Sequence, residues 1–172
     1  MKKRVAIVGL ILALAFQVSA CSSVDFTEDV TEKIGLDVSA GKEVSVSDTH
    51  GGFHGDGTTY GVLEFFDDKL EKQIKEDERW KKLPLDEGAE TLAYGTRRET
   101  DDTVESSGPY MTDDEGNALM PKVENGYYFL LNKQNGKIGM TREEIKSGAS
   151  HNVVLAIYDT DKQRLYFCEE DT

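Results

Sequence analysis

Cysteine is scarce: Cys21 and Cys168 are the only two in 172 residues. If the first is consumed by processing, one thiol remains, which excludes an intramolecular disulfide in the mature monomer even though an exported protein would be permitted one. Basic residues are also short, with 20 Lys and Arg against 33 Asp and Glu and a formal net charge of -13. That balance repels nucleic acid and anionic headgroups and favours cations or basic partners, so no nucleic-acid partner is expected. No internal repeat is present. Apolar residues form no run of the roughly 20 needed to cross a bilayer, and no Ser, Cys or Glu is tied to a histidine by a recognised catalytic motif.

What is present begins at the N-terminus. Lys2, Lys3 and Arg4 precede an apolar run over residues 5–16, and Val18-Ser19-Ala20-Cys21 follows. Basic start, apolar middle and small residues before a cut are the three parts of a secretory signal, and Cys21 directly after Ser19-Ala20 reads as a bacterial lipobox. The expectation is a signal peptide over 1–20 and a mature N-terminus at Cys21. Its sulfur would carry a covalent diacylglyceryl group that anchors the protein to the outer face of the bacterial cell membrane, since two acyl chains give stable binding where one does not. Cleavage would remove three positive charges and no negative ones, taking the net charge from -13 to -16.

Residues 21–33, rich in Ser, Thr, Asp and Glu, read as a tether, and residues 34–172 as a single domain. Ile34, Leu36 and Val38 alternate with polar positions and could open a first strand, as could Val44 and Val46 against Ser45 and Ser47 with one face buried. A second β-rich run over 58–66 pairs with it across a Gly-rich connection. Asp68 with Glu71 forms a capping box for an amphipathic helix carrying Leu70, Ile74 and Trp80, and Pro84 ends that run. Residues 99–125 crowd Asp101, Asp102, Glu105, Asp113, Asp114 and Glu115 among Ser, Gly and Pro109, and read as an acidic, mobile surface insertion. Calcium is the alternative for these carboxylates, but residues 113–117 lack the EF-hand register. A strand over 126–132, a capping box at Thr141 and Glu144, and a hairpin from 151–158 to 164–168 complete the chain. Cys168 falls inside that last strand, where a packed thiol is expected rather than a nucleophile. The fold class expected is α+β, an antiparallel sheet of five or six strands with one main helix on one face; a small β-barrel or sandwich is the alternative.

The candidate site is the loop Asp48-Thr49-His50-Gly51-Gly52-Phe53-His54-Gly55-Asp56-Gly57. Imidazole and carboxylate together can bind zinc or another divalent metal, and the glycines allow a turn tight enough to bring Asp48, His50, His54 and Asp56 to one point. The structural reading has the histidines bonded within a glycine-shaped loop, with Asp56 organising a turn. A phosphate loop is excluded, because no Lys-Ser/Thr follows and Asp56 would oppose the anion.

This loop, with the ending Leu155-Ala156-Ile157-Tyr158-Asp159 and Leu165-Tyr166, resembles a recurring group of uncharacterised lipoproteins and small exported proteins of Gram-positive bacteria. Trp80 before Leu83-Pro84-Leu85 and the Tyr127-Tyr128-Phe129 strand fit the same order of features over residues 34–172. The group has no established activity, so the resemblance implies location and a single fold rather than chemistry. Two functional classes follow: a non-catalytic lipoprotein domain that binds an envelope component, an extracellular protein or a cation, and a metal-dependent or histidine-based envelope hydrolase working from the Gly-rich loop.

Overall fold

The computed structural model describes residues 25–51, 55–99 and 103–172. Cys21 and the leader lie outside the described residues, as do His54, Asp101 and Asp102. The first element is a helix, α1 (Phe26–Ile34), where a tether was expected. Phe26, Val30 and Ile34 recur every four residues and put an apolar stripe on one face, a period hidden by the polar composition around it. Asp25 caps the start by accepting from Thr27 N at 2.9 Å, and Gly35 closes the end in the left-handed conformation at φ 72°. Glu28 and Asp29 in the first turn and Lys33 in the last complement the helix dipole. Ile34, Leu36 and Val38 are all buried as their alternation suggests, but Ile34 ends the helix and the other two lie in irregular chain rather than a strand.

The chain continues through β1 (Lys42–Asp48), β2 (Gly57–Glu64), α2 (Lys69–Glu76), β3 (Lys81–Lys82), α3 (Glu87–Ala93), β4 (Thr96–Glu99) and β5 (Val104–Ser107). It ends with β6 (Gly126–Asn132), β7 (Lys137–Ile138), α4 (Arg142–Ser147), β8 (Val153–Asp159) and β9 (Arg164–Asp171). Seven strands form one antiparallel sheet in the order β1-β2-β9-β8-β6-β3, with β7 also on β6, while β4 and β5 make a separate pair. The class is α+β as expected, and the sheet is open, with β1 at one edge and the two short strands β3 and β7 at the other.

Both faces of the sheet are covered, not one. Alternation along β9 sends Leu165 and Phe167 to one side and Tyr166 and Cys168 to the other, and every residue of β8 is buried. Val30 and Ile34 of α1 and Leu70 and Ile74 of α2 cover the first side, with Trp80 tilted against Phe129 at 5.6 Å between centroids. Leu92 of α3 and Ile145 of α4 cover the second. The expected 70–80 helix is therefore one of four among the described residues and stops at Glu76, leaving Trp80 as a plug just beyond it. Thr141 and Glu144 do form the reciprocal capping box of α4, whereas Asp68 makes no side-chain cap bond to α2.

Two further expectations change. Val44 and Val46 do not share a buried face: they are 49% and 43% exposed. β1 lies at the sheet edge, and a bulge between Glu43 and Ser45 breaks its alternation. The acidic insertion reaches the core at two places, through Tyr110 and Met111 and through Leu119, Met120 and Val123. Tyr110 N and Met111 N both donate to Leu92 O, at 3.0 and 3.1 Å, Leu119 N donates to Met111 O at 3.0 Å, and Met111 and Met120 are buried. Among the described residues the β4–β5 hairpin is largely exposed, with Val104 at 58%, as are residues 113–118.

Two outcomes follow from this packing. A Cβ on Gly61 would lie 2.1 Å from Phe26 Cζ, because the Phe26 ring sits over that glycine and edge-on to Phe167 at 5.9 Å. Gly61→Ala should cost about 1–3 kcal/mol in urea unfolding, and the penalty should vanish in a Phe26→Ala background, since the clash needs both groups. An equal penalty in both backgrounds would refute the docking of α1 through this contact. Met111→Ala should cost about 2–5 kcal/mol as a buried large-to-small change, whereas a freely dispensable insertion would tolerate it without loss.

Candidate functional site

At one end of the sheet the apolar alternation of β9 runs into Glu169 and Asp171, which continue the face of Leu165 and Phe167. Glu169 is only 3% exposed. A carboxylate so placed needs partners, and two cations supply them: Lys33 from α1 and Lys133 from just after β6 both contact it. Lys33 also bonds Asp29 at 2.7 Å, and Lys133 bonds Asp171 at 2.7 Å. Burial by itself lowers both ammonium pKa values, but hydrogen bonds and charge from Asp29 and Glu169 on Lys33, and from Asp171 and Glu169 on Lys133, outweigh it and raise them.

The sequence-predicted loop meets this charged seam. Asp48, the last residue of β1, accepts from His50 N at 2.8 Å and lies 2.7 Å from His50 Nδ1. Thr59, opposite Asp48 in the β1–β2 register, donates to the same carboxylate oxygen at 3.3 Å and sits 3.1 Å from Nδ1. The other ring nitrogen, Nε2, is 3.3 Å from Asp171 Oδ2, within ion-pair distance but without hydrogen-bond alignment. Burial pushes the Asp48 carboxyl up, and the bonds from His50 more than reverse this, so its pKa ends below the ordinary 3.8. Asp48 and His50 are thus brought together, while Asp56 stays exposed. Among the described residues no three His, Cys, Asp or Glu side chains converge to hold a metal ion. A cleft of about 490 Å³ lies between α1 and the end of β1, floored by Thr59 and Glu169 and walled by Phe26, Val46 and His50.

Sequence reading missed Glu169, Asp171, Lys33 and Lys133. The signal for the two carboxylates was legible, because carrying the β9 alternation past Cys168 places them on the core face. The lysines could not be assigned, since nothing local links residues 33 and 133 to residue 169. Cys168 is packed as expected, its thiol pKa pushed up by burial.

A second cleft, of about 650 Å³, opens beside α3. Leu83, Leu85, Tyr94, Met120 and Val123 line it, with Glu90, Lys122 and Glu124 among its charged groups. Tyr94 OH donates to Pro121 O at 2.7 Å, which ties the returning insertion to α3.

Replacing Lys133 by Met should destabilise the protein by about 2 kcal/mol, because it removes one of two cations from a buried carboxylate while the partial exposure of the lysine limits the loss. Adding Glu169→Leu should restore most of that stability, and chemical denaturation of both variants checks it. The pH dependence has a definite sign. The raised lysines confer stability that is whole below their unfolded value near 10.5 and is lost as pH climbs through their higher folded values. Asp48 confers stability present above 3.8 and lost as pH falls through its lower folded value.

No protein-family model, curated protein or solved structure matches this chain.

Proposed function

We propose that this chain is an exported lipoprotein, held on the outer face of the bacterial cell membrane by a diacylglyceryl group on Cys21, whose domain acts by binding rather than by catalysis. One observation carries the non-catalytic part: His50 Nδ1 is held by Asp48 at 2.7 Å, and Nε2, buried without a hydrogen bond, has the Asp171 carboxylate and not a nucleophile beside it, at 3.3 Å. A general base needs a free nitrogen within reach of the group it deprotonates. The hydroxyl beside this ring, Thr59, lies against the same Nδ1 that Asp48 holds. The lysines and carboxylates of this seam pair with one another and read as structure. A non-catalytic domain of this charge suits a basic or cationic partner, an envelope component or an extracellular protein. The mixed apolar and charged cleft beside α3 has the dimensions of a binding surface.

The anchor reading comes from Val18-Ser19-Ala20-Cys21 and from the resemblance to small Gram-positive lipoproteins. Cys21→Ala should leave the protein unprocessed or released from membranes, and intact mass of the wild type should carry the lipid; a mature product without lipid refutes the anchor. For the domain, calorimetric titration of a metal-free preparation with zinc should give no saturable heat near stoichiometry. A stoichiometric heat abolished by His50→Ala with His54→Ala would instead favour the metal-dependent hydrolase built on Asp48, His50, His54 and Asp56.

A further inference from the structure

We infer that the edge strand β1, with the N-terminus of α1, is the face of the domain apposed to the lipid bilayer. The inference rests on the anchor reading and adds an orientation to it. Because α1 is capped at Asp25, the tether is shorter than the sequence suggests: four residue steps from Cys21 to Asp25, reaching about 14 Å at full extension. The first turn of the helix cannot swing away, since the Phe26 ring is seated over Gly61 and against Phe167. Phe26 lies over β2, the neighbour of the edge strand, and Val46 of β1 lines the same cleft as Phe26. The anchored corner of the domain is therefore the β1 edge.

Along β1, residues 42–47 carry one Lys, one Glu, two Ser and two Val, a neutral stretch in a domain whose mature net charge would be -16, flanked by Asp48 and by Asp25, Glu28 and Asp29 at the start of α1. Val44 and Val46 are its exposed apolar groups. The short tether therefore selects this edge against the repulsion of those carboxylates by an anionic bilayer, because two acyl chains hold the domain within its reach. Apposition also shields seven residues of open edge strand from pairing with other chains, with only the bulge at Val44 to blunt it. The opposite edge, at β3, lies five inter-strand spacings away, about 24 Å across the sheet.

Energy transfer tests this on the full lipidated protein. Single cysteines at the exposed positions Ser45 in β1 and Lys82 in β3 take a donor dye; Cys168 is buried and the Cys21 sulfur is blocked by lipid. The protein is reconstituted in phosphatidylcholine–phosphatidylglycerol vesicles carrying a headgroup-linked acceptor. Transfer from Ser45→Cys should exceed that from Lys82→Cys by about twofold or more, given the sheet-wide separation. Glu43→Cys gives the same reading if Ser45→Cys does not fold. Inserting twenty Gly/Ser residues before Asp25 should erase the difference, because such a linker adds about 25 Å of flexible reach. Equal or reversed transfer from a protein that floats with the vesicles overturns the orientation while leaving the anchor standing. A protein that carries no lipid and does not float overturns both.

Discussion

A strand buried on both faces cannot be stabilised by one layer, and β8, with all seven of its residues buried, imposes that condition on the whole chain. Val154, Ala156 and Tyr158 need one cover and Val153, Leu155 and Ile157 need another. The N-terminal helix and α2 supply the first, while α3, α4 and the returning stretch with Met111 and Met120 supply the second. Segments that look peripheral in sequence are drawn in for this reason. A polar-looking tether becomes α1, and two short stretches of an acidic insertion join the core, because the central strands leave apolar area that nothing else can reach.

The same alternation explains the charged seam. When β9 runs past Phe167 its core-facing positions become Glu169 and Asp171, carboxylates on a surface that the layer above still covers. Desolvating an unpaired carboxylate there would be costly, and Lys33 and Lys133 reach in from two different elements to offset it. The seam therefore joins α1, the end of β6 and the C-terminal strand, with His50 set between Asp48 and Asp171 at its rim. Charge pairs of this kind tie elements together that are distant in sequence.

Legibility from sequence followed the range of the signal. The β8–β9 hairpin, the strand at residues 126–132 and the Thr141–Glu144 capping box were read within a few residues, since alternation, turn chemistry and caps are local. The α+β class followed from them. What failed was long-range: Val44 and Val46 alternate correctly but sit on an edge no helix covers, and Phe26, Val30 and Ile34 form a helical stripe masked by Ser, Thr and Glu around them. In the candidate site, Asp48 with His50 is a contact between near neighbours and was legible, whereas Lys33 meets Glu169 and His50 meets Asp171 across more than a hundred positions, and Lys133 meets Glu169 across 36. The helix α3 was missed because Glu87-Gly88-Ala89 lacks a bulky apolar period, and its cap, Asp86 accepting from Ala89 N at 3.0 Å, was not sought.

Correcting the tether alters more than a boundary. A flexible arm of thirteen residues would let the domain turn freely above the membrane, and no surface would be distinguished from any other. With the helix starting at Phe26, the same chain leaves only a short lead, and rotational freedom falls to what a few residues allow. If Cys21 carries the proposed anchor, a rigid domain on a short lead would present one side to the bilayer and the rest to whatever lies beyond. Its exposed edge strand, otherwise an invitation to pair with any extended chain, would then lie where the fewest such chains can reach it. On that proposal the packing of Phe26 on Gly61, a local contact within the core, would also govern how the whole domain is displayed.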